Sequence, residues 1–143
     1  MMSDVAGYSG TPLAKKLGIK AGATVSLSNP PANYAKLVAP LPDGVSLGDR
    51  VSGRTDLIHI FVTRRKDLER SLTSTLKSMR PDAAVWVSWP KKSSGVATDV
   101  TEDMIRDVAL PMGLVDIKVC AVDDVWSGLK LVVRLSARPT TRK

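Results

Sequence analysis

Residues 56–63 (Asp-Leu-Ile-His-Ile-Phe-Val-Thr) form a near-continuous apolar run, and residues 84–89 (Ala-Val-Trp-Val-Ser-Trp) form a second one, bounded by Pro90. Between them Leu68, Leu72, Leu76 and Met79 recur at offsets of four, four and three, which puts them on one helical face. Short runs that are apolar at nearly every position suit strands covered on both faces, as in a parallel sheet. Strand, helix and strand in that order predict a right-handed crossover between parallel strands. Nothing else in the chain restricts the fold so strongly.

The alternation continues in both directions. Thr11-Pro12-Leu13 predicts a helix start, with Thr11 as N-cap and Pro12 where its missing N–H is no loss. Gly18 then marks a left-handed C-cap. Residues 23–28 read as the first strand, ending at Asn29-Pro30-Pro31, and a brief helix is expected over 32–38 before Pro40 and Pro42. Residues 43–55 are glycine-bearing and weakly patterned, with one short strand near 45–47. Past Pro90, Asp99 or Thr101 is expected to cap a helix with Glu102 and Asp103 in its first turn and an apolar face of Met104, Ile105, Val108 and Ala109. Residues 115–122 and 129–135 read as strands joined by a turn at 123–128 and able to pair antiparallel. The expected fold is therefore α/β: a three-layer, mostly parallel Rossmann-like sheet with a C-terminal antiparallel hairpin. It forms one domain over 1–143, with loose ends at 1–9 and 137–143.

Several chemistries are excluded. The chain holds one histidine, His59, and one cysteine, Cys120, so neither a Cys/His metal site nor an internal disulfide can form. No nucleophile, base and orienting group can be assembled either. The reading therefore assigns no catalytic residue, no metal and no cofactor. No apolar run approaches the ~20 residues that span a bilayer, and the N-terminus lacks a secretory pattern. A cytoplasmic protein with no membrane partner is expected. A net charge of +7 raises nucleic acid as a partner, yet aromatics make up only 4% and are not interleaved with basic residues as in a stacking platform.

In a parallel α/β sheet, ligands bind where the strands end. That carboxyl edge should gather Asn29 and Tyr34 from the first strand, then Arg64 and Arg65, then Trp89, Lys91, Lys92, Ser93 and Ser94, and finally Asp123, Asp124 and Trp126. The set suits a small anionic ligand, with lysines for charge, serine hydroxyls and a helix N-terminus for oxygens, and tryptophans as a flat wall. Trp89 is placed on the same side of its strand as Trp86, at the exit. Plainer roles stand beside these: Trp86 as core, Trp126 as a hairpin staple, Lys91 and Lys92 as a solvated loop, and Asp123 and Asp124 as turn formers. His59 reads as a hydrogen-bonded core histidine and Cys120 as a buried, inert thiol.

Leu17-Gly18-Ile19-Lys20-Ala21-Gly22-Ala23-Thr24-Val25-Ser26-Leu27 resembles the helix end, turn and first strand of S-adenosylmethionine-dependent methyltransferases. The resemblance implies a parallel sheet closed by an antiparallel pair. It also implies a glycine loop after the first strand and an acid after the second. Here the loop is Ser28-Asn29-Pro30-Pro31-Ala32-Asn33-Tyr34, without a glycine, so the usual cofactor pocket is expected to be missing. Three further segments resemble a family of small bacterial proteins catalogued as a domain of unknown function (family 3052). They run from Gly7 to Lys20, from Trp89-Pro90-Lys91-Lys92 to Ala97-Thr98-Asp99, and over Trp126-Ser127-Gly128-Leu129-Lys130. That likeness implies a bacterial source and carries no activity with it. The reading is a non-catalytic ligand-binding or protein-interaction module with a basic and aromatic site at the carboxyl edge. The alternatives are an enzyme acting on a phosphate- or carboxylate-bearing small molecule, including a divergent methyltransferase, and a nucleic-acid-associated basic protein.

Overall fold

The computed structural model describes residues 11–135; the loose ends expected at 1–9 and 137–143 lie outside them. Helix α1 (Leu13–Leu17) precedes strand β1 (Thr24–Ser28), and helix α2 (Tyr34–Leu37) precedes β2 (Ser46–Gly48). Strand β3 (Leu57–Phe61) leads through α3 (Arg65–Ser78) to β4 (Ala84–Pro90). Helix α4 (Glu102–Ala109) then leads to β5 (Leu114–Ala121) and β6 (Trp126–Val133). The six strands form one sheet in the order β2-β1-β3-β4-β6-β5. β2, β1, β3 and β4 are parallel, while β6 lies antiparallel to both β4 and β5.

The apolar runs are buried as their composition demands. All five residues of β3 are buried, and the sheet divides them between two cores. Ile58 and Ile60 join Val85, Val87, Leu129 and Leu131 beneath Leu68 and Leu72 of α3 and Ile105 of α4. Leu57, Phe61 and Trp86 face the other way, with Val25, against Leu17 of α1 and Tyr34 of α2. Trp86 is fully buried, and its indole N–H donates to the Leu17 carbonyl at 2.9 Å, tying the end of α1 to the sheet. The strand opposite lies close against this ring at a glycine, where a Cβ on Gly128 would make a tight contact with Trp86 Cε3 at 3.1 Å.

Four details differ from the sequence reading. The N-cap position of α1 is Pro12, whose extended backbone (φ −58°, ψ 144°) starts the helix at Leu13 and which has no side-chain cap bond to give; Thr11 lies one residue earlier. Trp89 is three positions beyond Trp86, so strand alternation turns it to the opposite face, into the α3/α4 core. Thr101 caps α4 by accepting from the Met104 N–H, whereas Asp99 caps α3 instead, accepting the Arg65 N–H at 2.8 Å. β6 starts at Trp126 rather than Leu129, because residues 126–128 continue the pairing with Pro90, Trp89 and Ser88.

Candidate functional site

The carboxyl edge is built from the exits of β1, β2, β3 and β4, and its groups are bonded in distinct ways. On the α1/α2 face it is filled by rings. Tyr34 packs edge-on against Phe61, and Phe61 edge-on against Trp126, at centroid distances of 5.7 and 5.0 Å. His59 stacks on Phe61 at 4.3 Å. Beneath them runs a buried polar chain: the Tyr34 hydroxyl lies 2.9 Å from His59 Nδ1, and His59 Nε2 lies 2.7 Å from Ser88 Oγ. A neutral imidazole supplies one donor and one acceptor, so it satisfies both neighbours at once. Complete burial pushes the imidazole pKa down to about 3 and raises that of the Tyr34 phenol. His59 is thus the hydrogen-bonded core histidine that its apolar surroundings suggest.

The remaining expected residues are spread along the edge. Asn29 is exposed at the β1 exit in a left-handed conformation (φ 53°). Arg64 is exposed at the N-cap position of α3, and Arg65 pairs with Glu69. Trp89 is 8% exposed. The Lys91 N–H donates to the Val125 carbonyl at 2.7 Å, and Lys92, Ser93 and Ser94 form a short 3-10 turn. In that turn the Ser94 hydroxyl donates to the Lys91 carbonyl at 2.6 Å. Asp123 accepts the N–H groups of Val125 and Trp126 with one oxygen, which is turn chemistry, and Asp124 is exposed beside it. The β3 exit is crossed by the loop before α4, where Thr98 Oγ1 donates to the Thr63 carbonyl and Asp99 caps α3. Asn29 and Trp89 stand two strands apart, because β3 separates β1 from β4.

The open concavity of this edge lies at its other end. Strand β2 connects to β3 without a helix, through residues 49–56, and this loop crosses the α3 side of β1. It is anchored there because the Ser26 hydroxyl donates to the Arg50 carbonyl at 2.7 Å and lies 3.0 Å from Thr55 Oγ1. Between the loop and α3 remains a cleft of about 390 Å³. Its walls include Ser28 at the end of β1, Asp49 and Arg50 just after β2, and Arg70, Ser71 and Ser74 of α3. Sequence reading missed Asp49, since the weak pattern around it gave no firm strand end. The signal was present in Ser46-Leu47-Gly48-Asp49, a short strand followed directly by an acid.

A methyltransferase cofactor can be tested against these residues. Asp49 meets the requirement for an acid after the second strand. The β1 exit does not meet its own: Pro30 and Pro31 offer no N–H, and the glycines with positive φ all lie elsewhere, at 18, 22, 44, 95 and 113. The residues present do not fit the cofactor. Among the described residues no group of three or more His, Cys, Asp and Glu side chains could hold a metal, and no helix is long and apolar enough to cross a membrane.

No protein-family model matches the sequence, so the likeness to family 3052 rests on its three segments, and no curated protein matches it. Solved structures do. A type 11 methyltransferase from Sulfolobus solfataricus superposes with a TM-score of 0.64 at 14% identity, over 92% of this chain and 95% of that one. A SAM-dependent methyltransferase from Aquifex aeolicus gives 0.58 at 16% identity, over 85% and 87%. A tRNA methyltransferase from B. subtilis gives 0.57 at 12% identity, over 85% of this chain and 63% of that one. At such identities the likeness establishes the fold alone: a methyltransferase-like Rossmann sheet, mostly parallel, closed by an antiparallel C-terminal pair.

Proposed function

We propose that this chain is a non-catalytic binding module on a methyltransferase-like fold, taking a small anionic, hydroxyl-bearing molecule of the nucleotide class in the cleft between Asp49 and Arg70. The observation that carries the reading is the mismatch between the two strand exits. The acid after β2 is in place to accept hydroxyl donors, while the turn after β1 has two prolines where a cofactor would need backbone N–H groups. Arg50 and Arg70 supply positive charge beside that acid, and Ser28, Ser71 and Ser74 supply hydroxyls. A divergent methyltransferase is the second reading, favoured by the fold likeness and by Asp49.

Amide NMR on the labelled full chain, titrated with AMP and with inorganic phosphate, tests the binding reading. AMP is expected to give saturable shifts at residues 28–29, 49–51 and 70–74. Asp49→Asn should weaken AMP binding at least tenfold with the melting temperature unchanged, and Arg70→Ala should weaken both ligands. Shifts confined to residues 89–95, or none with either probe, would overturn the cleft assignment.

A further inference from the structure

Ion pairing differs between the two faces of the sheet. On the α3/α4 side and at the amino edge, four arginines are paired with acids. Arg65 pairs with Glu69 and Arg70 with Asp67; Arg80 pairs with Asp56 and Asp82, and Arg106 with Glu102, Asp103 and Asp116. On the α1 side the side chains are lysines without such partners. Lys15, Lys20, Lys36, Lys118 and Lys130 form no ion pair with any described residue.

These lysines are contiguous. Lys130 of β6 pairs in register with Lys118 of β5, and its Nζ lies 3.5 Å from where a Cβ on Gly18 would be, at the end of α1. Lys118 reaches α1 and donates to the Lys16 carbonyl at 3.1 Å. A cleft of about 490 Å³ runs between Lys15 and Lys16 on α1 and Lys118 on β5, and a second of about 200 Å³ continues from Lys16 to Lys36 on α2. Among the described residues, none that lines either cleft is acidic. Burial, then the charges of Lys118 and Lys20, hold the Lys130 ammonium below the usual lysine range, as expected where no carboxylate offsets like charges.

We infer that this lysine face is a docking surface for the phosphate backbone of double-stranded nucleic acid. The argument is charge complementarity of a particular kind. Lysine ammoniums are point charges that suit a row of phosphates and read no base, and several spread over two adjoining clefts suit an extended polyanion better than one small ion. Single strands are held by exposed aromatic platforms. Among the described residues Tyr34, Phe61, Trp86 and Trp89 are buried and Trp126 is half-buried, so none of these rings offers an open stacking surface. The inference is independent of the cleft at Asp49.

Fluorescence anisotropy with a labelled duplex of about 20 base pairs, read across 50–200 mM salt, tests it. The full chain should bind with an affinity that falls steeply with salt. Lys20→Ala/Lys118→Ala should flatten the log–log slope by about two and weaken binding on the order of tenfold to a hundredfold. Lys66→Ala/Lys77→Ala, on the exposed side of α3, should leave affinity and slope unchanged. Lys15→Ala/Lys36→Ala repeats the test without touching the Lys118–Lys16 bond, should that variant melt early. Equal losses in the α1-side and α3 variants, an unaffected α1-side variant, or saturable binding to phosphatidylserine vesicles without duplex binding would overturn the assignment.

Discussion

Replacing Trp86 by alanine should lower the stability of the fold by about 4 kcal/mol, read as the shift in the urea midpoint by far-UV circular dichroism. Trp86 is the largest of the fully buried side chains and stands at the centre of the α1/α2 core. Its removal opens a void that the neighbours cannot close, because Gly128 brings no side chain to fill it. It also leaves the Leu17 carbonyl without its donor, and that bond fixes the end of a five-residue helix too short to persist unaided. Trp86→Phe keeps most of the volume and loses the bond, so it should cost about half as much. A change under about 1 kcal/mol for the alanine variant would mean that α1 is not held to the sheet as described. With total stabilities of small domains at about 5–15 kcal/mol, the alanine variant sits near the threshold of folding.

The second large effect is a dependence on pH. Folded His59 stays neutral down to about pH 3, because burial disfavours the imidazolium, while the unfolded chain protonates it near 6.5. Between those values the unfolded state binds the extra proton, so stability must fall as pH falls. It is complete above about pH 6.5 and declines by about 1.4 kcal/mol per unit below it. Asp56 and Asp116 also contribute, but their depressed carboxyl pKa values, held down chiefly by the Thr24 N–H and by Arg106 respectively, place their loss below about pH 4. Denaturant midpoints between pH 7 and pH 4.5 therefore isolate the histidine. His59→Gln should flatten the slope in that window while lowering stability at neutral pH. A wild-type profile that is already flat there would contradict the buried, neutral state.

The sheet was legible because its signals are local. The apolar runs of β3 and β4, the offsets of Leu68, Leu72 and Leu76, and the left-handed Gly18 each reflect one element meeting the core. The expectations that went astray depended on where two distant segments meet. Asp99 lies in sequence beside α4, yet its carboxylate serves α3, because the β4–α4 loop folds back over the β3 exit. Trp89 is an exception, since its three-residue spacing from Trp86 already assigns it to the opposite face. The cleft at Asp49 was invisible for a different reason. It is the space left where a loop rather than a helix follows β2, and a missing helix leaves no residue pattern. The buried roles of Tyr34 and Ser88 likewise follow from their meeting at His59, which only the register of β3 and β4 reveals.

Calorimetric titration with S-adenosylhomocysteine beside AMP addresses the central claim most directly, that this methyltransferase-like sheet has an acid after β2 but no glycine turn after β1 to take the cofactor. Saturable AMP binding that Asp49→Asn weakens at least tenfold, with S-adenosylhomocysteine no tighter than AMP, is the predicted result. Micromolar binding of S-adenosylhomocysteine, tighter than that of AMP, would contradict the claim and make the chain a methyltransferase candidate with Pro30 and Pro31 tolerated at the cofactor turn.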